Sequence, residues 1–123
     1  MVNSRQKGKN GELELAHILN QYGYDTKRGQ QYSGANGDAD VIGLPGIHIE
    51  VKRQETMQLN KWLMQSVDDA YADSIKHGGH MIPVVIHREN CDRTKQNNIK
   101  GKWKVSMLLD DFMVLYEKGR TNA

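Results

Sequence analysis

Apolar residues recur every three or four positions in three stretches of the chain, which is the spacing of one helix face. This spacing predicts three helices, over about residues 11–22, 59–77 and 110–118. Gly23 and Gly78 follow the first two stretches, and glycine commonly ends a helix. We expect the second helix to bury Val67, Tyr71 and Ile75, and the third to bury Phe112, Leu115 and Tyr116.

Alternating or continuously apolar runs between these stretches predict five strands, over about residues 24–31, 38–43, 47–53, 81–87 and 103–107. The second and third are joined around Leu44-Pro45-Gly46, which indicates a hairpin. Pro83 lacks a backbone N–H, so the fourth strand should be an edge strand or should begin there. The resulting order is α-β-β-β-α-β-β-α, an α/β fold with a central mixed β-sheet flanked by helices.

Charged residues interrupt the third predicted strand, which reads Ile47-His48-Ile49-Glu50-Val51-Lys52. Successive side chains of a strand point to opposite faces, so Glu50 and Lys52 share one face with His48. Asp40 lies in the neighbouring predicted strand. Charged side chains are rarely buried without a partner or a metal, so this cluster is a candidate functional site.

The position of Asp40 relative to Glu50 depends on the register of the hairpin. A two-residue loop would turn the two carboxylates to opposite faces, because the side-chain period of a strand is two. A three-residue loop, Leu44-Pro45-Gly46, would bring them to the same face, and Gly46 suits the left-handed conformation that such loops need. We predict the three-residue loop or an equivalent bulge.

Two carboxylates beside an ammonium group suit the hydrolysis of a phosphodiester. Mg²⁺ prefers oxygen ligands and keeps several waters, so Asp40, Glu50 and a backbone carbonyl can hold it. The metal lowers the pKa of a bound water, and Lys52 can orient that water or stabilise the developing charge. The plainer alternative is a cross-strand ion pair of Lys52 with Glu50 or Asp38, worth less than about 1 kcal/mol if exposed.

A third acid, Glu12, lies on the apolar stripe of the first predicted helix, one turn before Leu15. The plainer explanation is charge complementarity with the N-terminus of the helix. Glu14 lies off the stripe and suits that role better, so Glu12 is a candidate member of the same site.

The chain has 123 residues, enough for one domain with a hydrophobic core, and a formal net charge of +2. Basic residues cluster in an N-terminal arm over residues 1–8 and in the segment 93–104, which contains no acid. Basic patches beside an acidic site suit a polyanionic substrate. The single cysteine, Cys91, excludes an internal disulfide. With no visible signal peptide or long apolar segment, we expect a soluble, intracellular protein.

The pattern Asp40 … Glu50-Val51-Lys52 resembles the signature of the PD-(D/E)xK nucleases, with Ala39 where many members have proline. Within that superfamily, residues 7–52 are similar in order and spacing to archaeal-type Holliday junction resolvases. The residues that carry the similarity are Lys7-Gly8-Lys9-Asn10-Gly11-Glu12, Gly23-Tyr24, Arg28, Ser33-Gly34, Asp40-Val41-Ile42 and Ile49-Glu50-Val51-Lys52. The resemblance implies a restriction-endonuclease-like core.

The same resemblance implies a role for each residue of the site. Asp40 and Glu50 would be the principal ligands of Mg²⁺, with Mn²⁺ able to substitute, and the backbone carbonyl of Val51 would be a further ligand. Lys52 would be the catalytic lysine, and Glu12 would serve a second metal position or act through a water. The accessory candidates are Gln65 and Asp38. The candidate DNA-binding residues are Lys7, Lys9, Arg28, Ser33, Arg53, Arg93, Lys95, Lys100 and Lys102.

We therefore expect a single nuclease domain over residues 1–123 that cuts branched DNA, such as a four-way junction, in the manner of a Holliday junction resolvase. The resemblance also implies a homodimer with two active sites, acting in the cytoplasm at the nucleoid, and the small size would suit a phage. The alternatives are a virus-type replication-repair nuclease that acts on flaps, ends or duplex DNA, and a non-catalytic DNA-binding module with the same fold.

Overall fold

The computed structural model describes residues 4–29, 39–54, 56–90 and 98–121, with the backbone alone for 4–7 and 121. Within these ranges the helices are α1 (Ser4–Gln21), α2 (Leu59–His77) and α3 (Leu109–Thr121). The strands are β1 (Lys27–Arg28), β2 (Val41–Ile42), β3 (Ile47–Arg53), β4 (Ile82–Arg88) and β5 (Lys104–Ser106), and a 3₁₀ turn spans Ile99–Gly101. The predicted order of elements is confirmed. None of the helices in the described ranges is long and apolar enough to span a membrane.

The strands form one mixed sheet in the order β1-β2-β3-β4-β5. β3 and β4 are parallel, and the other neighbouring pairs are antiparallel. α2 makes the crossover that two adjacent parallel strands require. Pro83 is the second residue of β4 and precedes residues 85–87, which pair with β5. The alternative of an edge strand is therefore wrong, and the strand instead begins next to the proline, as the other alternative held.

The two faces of the sheet bury different kinds of side chain. On one face, α1 covers a purely hydrophobic core made of Leu15, Ala16, Val41, Ile49, Val51, Ile82, Val84 and Ile86. On the other face, α2 covers the strand positions that carry His48 and Glu50, both of which are buried. The alternation along β3 thus separates a hydrophobic layer from a polar layer that holds the candidate site.

The buried face of α2 is partly polar. Val67, Tyr71 and Ile75, which the sequence pattern assigned to the buried face, are instead 37%, 70% and 68% exposed. The physical reason is that α2 lies over buried polar side chains, and these need hydrogen-bonding partners as well as apolar contacts. The residues that α2 buries are Trp62, Ser66, Ala70 and Asp73.

α1 begins at Ser4, before the predicted start near residue 11, so the chain predicted as a basic arm is helical from Ser4 onward. Gly11 lies within the helix and faces β3. A Cβ at this position would lie 3.4 Å from the Cβ of Arg53 and 3.8 Å from the Cγ1 of Val51. The glycine therefore marks a close approach of helix and strand, and not the start of the helix.

α3 departs furthest from the sequence expectation. Phe112, Leu115 and Tyr116 were expected to face inward, but they are 49%, 37% and 49% exposed, so this prediction is wrong for the single chain. Asp110 and Asp111 lie in the first turn of a helix that begins at Leu109. The spacing of apolar residues correctly indicates a helix, but it does not indicate which surface the helix packs against.

Glu14 connects α1 to three other parts of the fold. Its carboxylate accepts two hydrogen bonds from the guanidinium of Arg88, both 3.1 Å, and one from the indole of Trp103 at 3.0 Å. The side chain of Arg53 lies 3.6 Å away. Arg88 also lies over the ring of Trp103, 5.4 Å from its centroid. This network ties α1 to β3, β4 and the segment before β5 through a charge pair in which Arg88 is buried.

We predict that Glu14→Ala lowers the free energy of unfolding by about 2 kcal/mol, because it leaves the buried guanidinium of Arg88 without its carboxylate. Urea unfolding followed by circular dichroism measures the change. Asp25→Ala, which removes an exposed acid just after α1, is the matched control and should change stability by less than about 0.5 kcal/mol. Equal effects of the two variants would show that the network adds nothing to stability.

Candidate active site

The hairpin register brings the two principal carboxylates to one face of the sheet. Val41 pairs with Ile49, which sets Asp40 opposite Glu50 across the β2–β3 ladder. The connection is the three-residue loop Leu44-Pro45-Gly46, with Gly46 at φ 78°. The predicted odd register and the left-handed glycine are both confirmed.

Asp40 is fixed by hydrogen bonds on three sides. Its N–H donates to the carbonyl of Ile49 at 2.9 Å, and its carbonyl accepts from the N–H of Gly29 at 2.8 Å. Its carboxylate Oδ2 accepts from the backbone N–H of Val51 at 2.8 Å, and the residue is 8% exposed. The side chain thus contacts the strand that bears Glu50, and its position follows from the backbone pairing of β1, β2 and β3.

Glu50 is the most electrostatically perturbed acid of the site. It is 3% exposed, and its carboxyl lies within hydrogen-bonding reach of His48, Asp40 and Asp69. The pKa of Glu50 is raised to about 8, mainly by burial; the acids Asp40 and Asp69 contribute to the rise, and the hydrogen bond to His48 opposes it. Without a cation nearby, this cluster retains a proton at neutral pH.

His48 bridges Glu50 to an acid on α2. Its Nδ1 lies 2.7 Å from Oδ2 of Asp73, and its Nε2 lies 3.0 Å from Oε1 of Glu50. Burial acts to lower the pKa of His48, but the hydrogen bonds to Glu50 and Asp73 outweigh it and raise the pKa. Because both ring nitrogens already contact carboxylates, the imidazole orients Glu50 and has no nitrogen left for a metal in this arrangement.

Glu12 and Lys52 complete the predicted site from two further positions. Glu12, on α1, accepts a hydrogen bond from the Nε of Arg28. Burial raises the pKa of Glu12, and Asp40 raises it further, whereas Arg28 and Lys52 oppose the shift. Lys52, on β3, donates from Nζ to the Oε1 of Gln65 on α2 at 3.2 Å. The structure therefore brings Glu12, Asp40, Glu50 and Lys52 together, with Gln65 beside the lysine.

The donor set of this cluster suits a hard divalent cation. Carboxylate oxygens are the ligands that such cations prefer, and a cation relieves the mutual repulsion of Asp40 and Glu50. His48, Glu50 and Asp69 each offer a ligand atom within 4.8 Å of the others. Since His48 is held by two carboxylates, Glu50 and Asp69 are the better ligands of this group, and Asp40 lies beside Glu50 as a further acid.

Sequence reasoning missed Asp69 and Asp73, which come from α2. A signal for Asp73 was present, because residues 62, 66, 70 and 73 follow helical spacing and form the buried face of α2. The sequence predicted which face of the strand His48 lies on, but it did not predict the side chains that His48 contacts. Glu14 was assigned to the helix N-terminus, whereas it holds Arg88 and Trp103 in the middle of α1.

The predicted DNA-binding residues lie in different surroundings. Lys9, Lys100 and Lys102 are exposed. Arg28 is paired with Glu12, and Arg53 donates from Nε to Asn90 at 2.9 Å. The candidates that lie outside the described residues, or whose side chains do, are Lys7, Ser33, Asp38, Arg93 and Lys95; Cys91 lies outside them as well.

A family model described as "Phage putative PDDEXK endonuclease" matches residues 3–122 of the chain. This span includes Glu12, Asp40, Glu50 and Lys52. No curated protein matches the chain.

We predict that Glu50→Gln, which mimics the neutral carboxyl, stabilises the metal-free protein at pH 8 and has little effect at pH 5. The pKa of Glu50 is about 8 when folded, against an ordinary value of 4.5, so the folded state binds the proton more tightly. Stability of the wild type therefore falls as pH rises from about 4.5 towards 8, and the variant lacks this loss. We expect a difference of about 1 kcal/mol or more at pH 8.

Urea unfolding in the presence of a chelator, at pH 5 and at pH 8, measures the effect. Asp25→Asn removes an exposed acid and is the control, with the same small effect at both pH values. A difference between wild type and Glu50→Gln that stays constant with pH would contradict the protonated state of the cluster.

Proposed function

Since the chain belongs to this family of phage PDDEXK endonucleases, we propose that it is a Mg²⁺-dependent endonuclease that hydrolyses phosphodiester bonds in branched DNA. The observation that supports the proposal most directly is the convergence of Glu12 on α1, Asp40 just before β2, and Glu50 and Lys52 on β3. Three acids and a lysine in one partly buried cluster suit metal-assisted attack of water on phosphorus better than a structural ion pair.

In this proposal Asp40 and Glu50 hold the metal together with the backbone carbonyl of Val51, and Asp69 is a third carboxylate within reach of Glu50. When bound, Mg²⁺ or Mn²⁺ would lower the pKa of the attacking water and neutralise charge on the scissile phosphate. His48 and Asp73 keep the Glu50 carboxyl in its orientation, which supports a fixed ligand geometry.

Lys52 would stabilise the negative charge that develops on the phosphate, or orient the attacking water. The amide of Gln65 holds its ammonium group at the site. Glu12 would act at a second metal position or through a bound water. Arg28 fixes the Glu12 carboxylate, and in this proposal it would also contact the DNA backbone beside the cluster.

The preference for branched DNA rests on the similarity to Holliday junction resolvases. One domain over residues 1–123 would recognise the shape of the DNA through phosphate contacts, which carry no base information. Resolving a four-way junction takes two symmetric cuts, so two copies of the chain would act as a homodimer, in recombination or repair in the host cytoplasm. The alternative to a nuclease for branched DNA is a virus-type replication-repair nuclease that acts on flaps, ends or duplex DNA.

We predict that the protein cuts a four-way junction in Mg²⁺ or Mn²⁺, and that Asp40→Asn lowers the rate at least about 100-fold, because Asp40 contributes charge at the metal. The measurement is cleavage of a labelled junction, a flap and a linear duplex, each with and without metal. Asp25→Asn, an exposed acid near α1, is the matched control and should cut like the wild type.

The outcomes of this panel separate the candidate functions. Equal cutting of junction and duplex would overturn the resolvase assignment and leave a nuclease. Cutting of flaps or ends alone would favour the virus-type replication-repair activity. If the protein binds the junction but cuts none of the substrates in the presence of metal, the result would favour a non-catalytic DNA-binding module.

A second prediction concerns the basic segment before β5. Lys104 donates from Nζ to the backbone carbonyls of Lys100 and Lys102 at 3.4 and 3.0 Å, which fixes the turn while the other two lysine side chains stay exposed. If both bind phosphates, Lys100→Gln/Lys102→Gln reduces the slope of log affinity against log salt by about 2. Binding of the junction over a salt series, in Ca²⁺ to prevent cleavage, measures the slope.

Lys61→Gln/Lys76→Gln, which removes the same charge from α2, is the matched control for net charge. An unchanged slope in the first variant, or an equal decrease in both, would contradict a specific role of the turn in binding DNA.

A further inference from the structure

α3 is an amphipathic helix that the described part of its chain leaves uncovered. Among the described residues no helix or strand packs along it, and none of its described side chains is buried. Leu109 is 72% exposed, and the exposed fractions of the other apolar side chains lie between 37% and 49%. These other side chains are Phe112, Met113, Val114, Leu115 and Tyr116.

A helix of this length is not stable on its own. α3 has 13 residues, and isolated helices shorter than about 12–15 residues are marginal in water, because tertiary packing supplies most helical stability. Its charges favour a helix, with Asp110 and Asp111 in the first turn and Lys118 and Arg120 in the last turn. Such pairs add only a few tenths of a kcal/mol each, so a covering surface is still required.

The exposed apolar surface extends from α3 onto the end of the sheet. Val105, on β5, is 60% exposed, and Leu108, just before α3, is 44% exposed. Together with α3 they expose an area on the order of several hundred Å², whereas the largest apolar patch on a typical monomer is about 300–600 Å². A standard interface buries about 800 Å² per partner, which is the scale of this patch with its polar rim.

The charges on α3 are complementary to those of a second α3 that runs in the opposite direction. In a twofold arrangement each helix meets the same helix of the other copy, so the acidic first turn of one lies beside the basic last turn of the other. This arrangement sets Asp110 and Asp111 of one copy beside Lys118 and Arg120 of the other. It also makes the two helix dipoles antiparallel, which is the favourable orientation. A parallel arrangement would juxtapose like charges.

We propose that α3, with Val105 and Leu108, forms the interface between two copies of this chain, with the two α3 helices antiparallel about a twofold axis. The apolar side chains of each helix become the cover that the other helix lacks. The interface would give the two active sites that symmetric cutting of DNA needs, but the inference rests on the exposure and charges of α3 and not on the catalytic proposal.

A second exposed apolar stripe lies on α2, at Met64, Val67, Tyr71 and Ile75. α2 differs from α3 because it has its own buried face against the sheet, and its stability does not depend on covering the stripe. The α2 stripe therefore provides the control for the α3 interface.

Sedimentation velocity and light scattering from about 1 to 100 µM test the proposal. The wild type should have twice the chain mass of 14.0 kDa, and Phe112→Glu should be monomeric or at least 10-fold weaker in self-association. Ile75→Glu should remain dimeric. A wild type that is monomeric throughout, or a dimer that Ile75→Glu disrupts and Phe112→Glu does not, would overturn the interface.

Hydrogen exchange provides a readout that separates dissociation from misfolding. In the Phe112→Glu monomer the amides of α3 should exchange at least 10-fold faster than in the wild type, while those of β3 and β4 keep their protection. Equal protection of α3 in monomer and dimer would contradict the need for a covering partner.

Charge variants test the orientation of the helices. Asp110→Lys/Asp111→Lys should weaken self-association several-fold in the antiparallel arrangement, and mixing it with Lys118→Glu/Arg120→Glu should restore a dimer of the two variants. No weakening in the first variant would overturn the antiparallel arrangement. Because mass and exchange need no substrate, these results stand apart from any failure of DNA cleavage.

Discussion

The register of the β2–β3 hairpin is the constraint on which the candidate site depends. With Val41 opposite Ile49, the Asp40 carboxylate reaches the N–H of Val51 and lies beside Glu50. A shift of one residue would send the Asp40 side chain to the other face and Val41 out of the hydrophobic core. The loop at Gly46 and the apolar face of β3 therefore enforce the same register, so core packing and the geometry of the acids are fixed together.

The same register concentrates negative charge in a buried place. Burial and the neighbouring acids Asp40 and Asp69 raise the pKa of Glu50 to about 8, so a negative charge on Glu50 is unfavourable without a cation. His48 and Asp73 extend the cluster onto α2, which explains why the inner face of this helix is only partly apolar. A site that binds cations is expected to be unfavourable when empty, since groups arranged for a missing ligand repel one another.

The first and last helices differ in how they are held to the rest of the fold. α1 is held to the sheet by the Glu14 network, which includes the buried Arg88 and the ring of Trp103. α3, by contrast, follows β5 without a comparable anchor among the described residues. The first helix thus completes the hydrophobic core of one copy, whereas the last helix exposes apolar surface. In our proposal this surface forms the interface with a second copy.

The sequence by itself determined the order of elements, the bounds of β3 and α2 and the three-residue hairpin loop, and it selected Glu12, Asp40, Glu50 and Lys52 as the members of one candidate cluster. These follow from local rules, because helix and strand periods, turn glycines and the alternation along a strand are properties of neighbouring residues. Only the tertiary structure decided that Gly11 lies inside a helix, that Asp73 holds His48, and that the apolar residues of α3 remain exposed. The physical reason is that periodicity shows which residues share a face, whereas the partner of that face is set by contacts between residues distant in the chain.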